Sequence, residues 1–497
     1  MKKSVFDDLV IFEMANNHQG SLKHGLKIID EMDKAWKDAG CGDRLKKAIK
    51  FQYRDIDSFI HPQYRDYAGN KHIKRFQDTR LTEVEFKKLA DHAKKRGFIN
   101  IATPFDEASL RLIRENKIEI VKVASCSACD WPLLEEISKL KKPVICSIAG
   151  ADIKDVDNIV SFFVHRNTNF ALMHCIGIYP ALKQGLHMNR IDLLRYRYPF
   201  VPIGYSGHEE PGNLDAAKIA VSKGIKILER HVGVPTNTIK LNAYSLTPPQ
   251  VTSWLGAIMD AKQMCGGAYE PSNNEIASLG DLRRGVFAAR DIKRGDKVLR
   301  KDVFFCMPYF KGKMHSGEFK AGYTAGRAYK KFVALDPVEQ KGVSHIVYTA
   351  IHEAKALLYE ARIFLKGDFS VEISHHYGIE RFRDYGALII TVLNREYCKK
   401  LLVMVAGQKH PSHFHKQKEE SFHILHGDLV LVMGGVKKHL GSGDIITLKK
   451  GEWHSFTTKG GVVFEEVSTT HYKDDSFYDD ERICSESHMR KTPIQRW

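Results

Sequence analysis

The stretch "LTEVEFKKLADHAKKRGFINIAT", residues 81–103, decides the fold. In its first part, residues 81–97, apolar positions recur three and four apart, which is one face of a helix, and Gly97 suits its C-terminal cap. "INIAT" (99–103) follows at once as a short apolar run, the signature of a strand buried on both faces. The same alternation fills the first 265 residues. Further strand candidates are "LVIFEM" (9–14), "AIKFQY" (48–53), "EIVKVAS" (119–125), "PVICS" (143–147), "FALMHC" (170–175), "VPIGYS" (201–206) and "IKILERH" (225–231). Eight strand–helix units in about 260 residues predict a (β/α)8 barrel.

The strand ends carry the chemistry. They offer Glu13, Lys50 and Gln52, Thr103, Lys122 and Ser125, Ser147, His174, Ser206 with His208 beyond it, and Glu229 with His231. In a barrel these ends converge on one face, where active sites of the fold lie. Lysines and hydroxyls together suit a phosphate-bearing anion. His208 and His231, from adjacent strands, can hold a divalent metal, and Glu13 remains for proton transfer or for gripping hydroxyls. Phosphate, metal and carboxylate together suggest carbon–carbon bond formation between a phosphorylated enol and a carbonyl compound.

The bulk properties set outer bounds. A 497-residue chain is too long for one core and predicts two to four domains. There is no apolar run of membrane-spanning length, so no membrane span is expected, and Asp7 and Asp8 break the N-terminal apolar stretch as a cleaved leader would not. Nine scattered cysteines fit a reducing cytoplasm, and "CSAC" (126–129) lacks a second cysteine pair to make it a metal or redox site. The net charge of +16 is dispersed, without a basic block interleaved with aromatics. It points to anionic small molecules or a solvated surface rather than to nucleic acid.

The motifs "EMANNHQG" (13–20), "IKFQ" (49–52), "ATPFDEASL" (102–110), "KVASCSACDWPLL" (122–134), "LMHCIGIYP" (172–180), "IGYSGHEEPG" (203–212) and "LERH" (228–231) resemble, in order and spacing, the sialic acid (N-acetylneuraminate) synthase family. The resemblance covers residues 1–268. It implies a (β/α)8 TIM barrel that condenses phosphoenolpyruvate with an aldose, usually an N-acylated hexosamine, to a nine-carbon 2-keto-3-deoxy acid and phosphate, with Mn²⁺ or Mg²⁺ as the metal. It implies that Lys50, Lys122, Ser125, Ser147 and Ser206 hold phosphoenolpyruvate, that His208 and His231 bind metal, that Glu13 lies beside metal and acceptor, and that Tyr179 and Asn189 contact the sugar. The product class serves bacterial surface polysaccharide. "LRRGVFAARDIKRGDKVLRKDVFFCMP" (282–308) resembles the family's SAF, or antifreeze-like, module, expected over 280–340 and implying a domain-swapped homodimer. Three positions depart from the pattern. Ser127 stands where an acidic residue is usual, Gly207 where Asp is usual, and Met307 where an arginine precedes proline. The acceptor side is therefore altered, and the alternative is a sugar-sensing or scaffold protein with a dead barrel.

A second metal set appears near the end. "GQKHPSHFHKQKEESFHILHG" (407–427) places His413 and His415 on one side of a strand, and Glu420 and His454 arrive from neighbouring strands. Short alternating strands predict a β jelly roll. This resembles a cupin, expected over 345–475 with a tail at 476–497, and within the cupins the D-lyxose isomerase group. The set suits Mn²⁺, Zn²⁺, Fe²⁺ or Ni²⁺. The resemblance implies that Lys418 helps move protons, with a nearby carboxylate such as Glu465, in a sugar isomerisation; a structural or sensing cupin is the alternative.

Overall fold

The computed structural model describes residues 4–267, 270–338, 342–483, 487–495 and 497. The chain divides into two compact units, Met1–Glu270 and Pro271–Trp497. The domain boundaries expected at residues 268 and 340 fall outside the described residues.

The first unit is a closed parallel barrel. Its strands are β1 (Leu9–Glu13), β2 (Lys46–Tyr53), β3 (Ile99–Pro104), β4 (Ile120–Val123), β5 (Val144–Ser147), β6 (Phe170–Cys175), β7 (Ile203–Gly207) and β8 (Ile227–His231), hydrogen-bonded in sequence order with β8 returning to β1. A helix follows each strand. Between β2 and β3 it is Glu83–Lys95, as the opening stretch predicts. Thr82 caps that helix in a reciprocal box with Glu85, and Gly97 adopts φ +79°, which a side chain rarely tolerates.

Side-chain parity sorts the barrel into layers. Leu9, Ile11, Ala48, Ile101, Ile120, Ile145, Ala171, Met173 and Ile227 form the apolar plug inside the bore. The next inward positions toward the C-terminal ends are Glu13, Lys50, Thr103, Lys122, Ser147, Ser206 and Glu229. A period of two thus turns an apolar bore into a polar floor within one further step along each strand. The opposite parity, including Phe12, Phe51, Val121, Leu172 and Leu228, packs against the helices.

In the second unit, β9 (Gly285–Ala288) pairs antiparallel with β11 (Val303–Cys306), and β10 (Lys297–Val298) with β12 (Tyr323–Thr324). The expected turn at Gly295 has φ +91°. Val286, Ala288, Ile292, Val298, Val303 and Leu335 make this small module its own core.

A large antiparallel sheet follows. Its strands are β13 (Ser370–His375), β14 (Gly386–Asn394), β15 (Tyr397–Met404), β16 (Lys409–Phe414), β17 (Glu420–Met433), β18 (Val436–Gly441), β19 (Ile445–Leu448), β20 (His454–Thr457), β21 (Val462–Thr469), β22 (Phe477–Tyr478) and β23 (Lys491–Ile494). The order is β22-β16-β20-β17-β21-β15-β14-β13-β23, with β18 and β19 on β17. The 14-residue β17 joins the two halves and shifts register between Ile424 and His426. Ala387, Leu402, Met404, Phe422, Ile424, Phe456 and Phe464 fill the interior. The helix Val343–Glu360 covers an outer face through Ala350, Ala354 and Leu358.

One boundary needs correction. Residues 476–497 are not a tail, because β22 pairs with β16, and β23 pairs with β13 from Val371↔Ile494 to Ser374↔Lys491. Their partners lie far away in sequence, so no local pattern announces the pairing. Ile494 and Trp497 also pack on the core under the helix. Truncation after residue 488 should therefore lower the stability of this sheet by about 2 kcal/mol or more. Urea unfolding followed at the cupin's Trp453 checks this, and an unchanged midpoint would show that β23 contributes nothing.

Candidate active site and a second metal cluster

At the C-terminal end of the barrel one carboxylate joins three strands. Glu229 is 2% exposed. It accepts from Lys50 Nζ at 2.8 Å, from Lys122 Nζ at 3.2 and 3.3 Å, and from Ser206 Oγ at 2.9 Å. Register produces this meeting: Ser206 lies opposite Glu229 across β7 and β8, while Glu13 lies between Lys50 and His231 across β2, β1 and β8. Lys50 Nζ also stands 2.5 Å from Glu13 Oε2, and Gln52 Nε2 donates to Glu13 Oε1 at 3.2 Å. Arg54 extends the chain, donating to Gln52 Oε1 at 2.9 Å with its guanidinium between Phe76 and Phe105.

The electrostatics follow from burial. Desolvation pulls the Lys50 ammonium down to about 7, against the opposing pull of Glu229. Burial would raise the Glu229 carboxyl, but Lys122 and Lys50 outweigh it and hold it well below the usual range. The floor is thus a nearly neutral lattice of two lysines and two carboxylates.

Two imidazoles stand over it. The His208 and His231 rings lie 5.4 Å apart, walled by Tyr244 (5.0 Å from His231) and Tyr179 (4.4 Å from His208). His208 Nδ1 meets the Ile176 carbonyl at 3.0 Å, which assigns the proton to Nδ1 and leaves Nε2 with a lone pair free to ligate a metal. His231 Nδ1 is buried without a hydrogen-bond partner among the described residues. Burial lowers His208 to about 4 and His231 well below its ordinary value, so both stay neutral. A neutral pair with an orphaned buried nitrogen fits a divalent cation.

The remaining sequence candidates separate. Thr103 and Ser147 face inward and are buried. Ser125 Oγ accepts the Ala149 amide at 3.1 Å and lies 3.3 Å from Cys175 Sγ. Ser127 is buried in the same turn, beside Cys126. His174 does not join them. It shares parity with Leu172, faces the helices, and holds the Leu186 carbonyl at 2.8 Å; Cys175 is the inward residue. Asn189 is exposed on the outer helical layer and accepts from Lys223 Nζ at 3.0 Å.

Gly207 has a steric explanation. A Cβ there would meet Glu209 Oε2 at 2.6 Å and Arg230 Cδ at 2.8 Å. Glu209 and Arg230 form an ion pair, 2.5 Å apart and 1% exposed, and Tyr205 Oη donates to Glu209 at 2.9 Å. This pair flanks both histidines and fills the place an aspartate side chain would need.

The second cluster is built on the inner face of the jelly roll. His413, His415, Glu420 and His454 are buried, and their ligand atoms lie within 4.8 Å of one another. His413 and His454 are direct cross-strand partners, and Glu420 shares parity with the core residues Phe422 and Ile424. All three imidazoles turn Nδ1 to backbone carbonyls: His413 to Pro411 at 3.1 Å, His454 to Glu452 at 2.9 Å, and His415 to Asp475. That leaves three Nε2 atoms aimed inward, and Glu420 Oε1 and His454 Nε2 lack hydrogen-bond partners among the described residues. The donor set fits a divalent metal.

Lys418, which the resemblance gives a part in moving protons, lies in an ion-paired cluster. It is ion-paired with Glu420 and lies 2.9 Å from Glu466. Burial would lower its ammonium, but the two carboxylates outweigh burial and raise it. Glu465 faces away and pairs with Lys399 at 2.6 Å; Glu466, one residue on, shares parity with Phe464 and faces the cavity. Glu466, Lys400 and Arg54 are the residues sequence inspection passed over, and Glu229, named there as a strand-end group, was given no role. For Glu229 and Glu466 the signal was there, two positions from an inward apolar residue.

Glu229→Ala should destabilise the barrel by about 3–5 kcal/mol, because it leaves two buried ammoniums without their shared partner. Glu229→Gln should cost less. Chemical denaturation checks both, and equal stability of wild type and Glu229→Ala would refute the hub.

The comparisons agree with this geometry. The NeuB family model matches residues 34–270, and the Cupin domain model matches residues 400–467. A crystal structure of spore coat polysaccharide biosynthesis protein E from Chromobacterium violaceum is 40% identical, covering 66% of this chain and 98% of that one at a TM-score of 0.64. The spore coat polysaccharide biosynthesis protein SpsE of Bacillus subtilis is 26% identical, over 62% of this chain and 86% of its own. The N,N'-diacetyllegionaminic acid synthase of Campylobacter jejuni is 25% identical, over 60% of this chain and 88% of its own. The chain belongs to the NeuB family through its barrel, and it carries a cupin domain behind it.

Proposed function

We propose that the barrel condenses phosphoenolpyruvate with an aldose, giving a 2-keto-3-deoxy sugar acid of the nonulosonic type and phosphate, for surface polysaccharide. The observation that carries this is the charge-balanced floor: two buried lysines held ready by Glu229 and Glu13 beneath two neutral imidazoles. An isolated trianion would find little net charge there, and so would an isolated dication. Together they complement it.

A divalent cation, Mn²⁺ or Mg²⁺, held by His208 and His231 would supply the Lewis acidity that polarises the aldehyde oxygen. The chain does the rest. Lys50 and Lys122 donate to phosphate and carboxylate oxygens, and Ser125, Ser147 and Ser206 add hydroxyl donors. The enol carbon of phosphoenolpyruvate forms a bond to the aldehyde carbon, and the aldehyde oxygen becomes a hydroxyl. Water adds at the former enol-phosphate carbon, losing a proton to a group at the site. The carbon–oxygen bond to phosphate then breaks, leaving the ketone. Glu13, opposite Lys50 and His231 in the strand register, would take a proton or hold an acceptor hydroxyl. Arg54, which reaches Glu13 through Gln52, is the cation we assign to the acceptor side.

The eight cysteines among the described residues are all free, which supports a reducing cytoplasm, and no described helix is long and apolar enough to cross a membrane. The 285–335 module, with its small core and exposed Met307, Phe310 and Phe332, supports a homodimer in which it docks on a second copy.

Purified protein with Mn²⁺, phosphoenolpyruvate and a panel of aldoses should release phosphate only when an acceptor is present. Lys122→Met and Lys50→Met should each weaken phosphoenolpyruvate binding by roughly tenfold or more, as loss of one charge-assisted contact predicts. Failure of the wild type to bind phosphoenolpyruvate would favour the scaffold alternative. Light scattering at micromolar concentration should give a dimer mass; a monomer would refute the docking.

A further inference from the structure

His208 and His231 are held by different neighbours. His231 ends β8 and registers with Glu13 on β1. His208 lies one residue past β7, and the β7–β8 register stops before it, at Gly207↔Arg230. The His208 carbonyl accepts from the Ala181 amide at 2.9 Å, and its Nδ1 meets the Ile176 carbonyl at 3.0 Å, both on the chain that follows β6. The ladder between β7 and β8 thus falls one residue short of the two imidazoles. Their gap depends on what joins the chain just beyond it.

That join is Arg230 to Glu209, the residues next to the two histidines. The guanidinium grips Glu209 twice. One nitrogen donates to Oε1 at 2.5 Å and the other to the backbone carbonyl at 2.8 Å. The second bond holds the backbone directly after His208. Tyr205 Oη donates to the remaining carboxylate oxygen, Oε2, at 2.9 Å. Gly207 leaves the room, because a Cβ there would come within 2.6 Å of that oxygen. Tyr205 belongs to the core between the barrel and its helices, and Arg230 alternates with the inward Glu229 and His231, so the clasp lies behind the site rather than in it.

Glu209 and Arg230 are each 1% exposed, and a buried ion pair gains little stability over apolar side chains of the same volume. What this pair adds is geometry. A planar guanidinium bound at two points has one orientation, where an ammonium has many. We propose that Arg230 and Glu209 are positioning residues for the barrel's metal: their clasp sets the gap between His208 and His231, and with it the affinity for a divalent cation. The inference rests on the reading of those two histidines as metal ligands. It goes beyond that reading by placing the control of affinity in a pair that touches neither metal nor substrate, and it gives Gly207 the part of making room for the clasp.

The test uses the full chain carrying His413→Ala/His415→Ala as the parent, so that bound Mn²⁺ is the barrel's, and follows Mn²⁺ titration by electron paramagnetic resonance. Arg230→Lys should weaken Mn²⁺ binding roughly tenfold or more, as loss of a group that orients a metal-ligating histidine does. Glu209→Gln keeps acceptors for the guanidinium and should lose less. Tyr205→Phe/Glu209→Leu/Arg230→Met removes the three polar side chains together. Its urea midpoint should stay close to the parent's while its Mn²⁺ affinity falls as in Arg230→Lys. Phosphoenolpyruvate binding without metal should be unchanged in all three, because Lys50, Lys122 and Glu229 are untouched. Parental Mn²⁺ affinity in Arg230→Lys or in the folded triple variant would overturn the proposal and leave the metal site standing. Metal-free phosphoenolpyruvate binding lost in step with Mn²⁺ would overturn it by showing a distorted floor. A parent that binds no Mn²⁺, or whose binding survives His231→Ala, would overturn both the clasp and the metal reading beneath it.

Discussion

The site in the barrel depends on one carboxylate held between two ammoniums. Glu229 can be ionised in a dry bore only because Lys50 and Lys122 meet it, and it in turn offsets their burial, with Glu13 sharing Lys50. Each would otherwise cost several kcal/mol to bury. The barrel sets the distances: strands β2, β4 and β8 deliver the three groups to one level, above an apolar plug that excludes water from below. Ser206 and Glu13 complete the lattice from β7 and β1.

The same physics recurs in the cupin with the signs exchanged. There the ammonium of Lys418 is held between Glu420 and Glu466, and Glu420 carries on to the histidine cluster. The consequences differ. The barrel floor comes close to neutrality and waits for cation and anion together. In the cupin cavity Lys400 stands 3.6 Å from the Glu466 oxygen that Lys418 already holds. Residues buried at such cost contribute little to folding, and binding is where they act.

Much of this was legible in the sequence, for reasons that particular residues make plain. Each barrel strand reads as an apolar run ending in a polar group, and a closed parallel barrel collects those ends, so Lys50, Lys122, Ser206, His208 and His231 could be grouped before any geometry was known. The cupin ligands were legible because His413 and His415 stand two apart at the end of one strand. The failures concern single-residue parity and long-range pairing. His174 and Cys175 are adjacent, and only the strand's phase shows that the cysteine faces in. Glu465 and Glu466 differ in the same way. The hub role of Glu229 needs the β7–β8 register, and β23 finds β13 more than a hundred residues away. The glycine at 207 looked like a lost acid until the Glu209–Arg230 pair was seen to occupy its space.

If the barrel floor is charge-balanced, metal and phosphoenolpyruvate must each improve the site for the other. The direct measurement is the phosphoenolpyruvate dissociation constant by titration calorimetry, with and without saturating Mn²⁺, on a His413→Ala/His415→Ala background that removes the cupin metal cluster. The account predicts that Mn²⁺ tightens phosphoenolpyruvate binding by roughly tenfold or more, and that phosphoenolpyruvate tightens Mn²⁺ binding by the same factor, as linkage requires. Identical phosphoenolpyruvate affinity in the presence and absence of metal would contradict it.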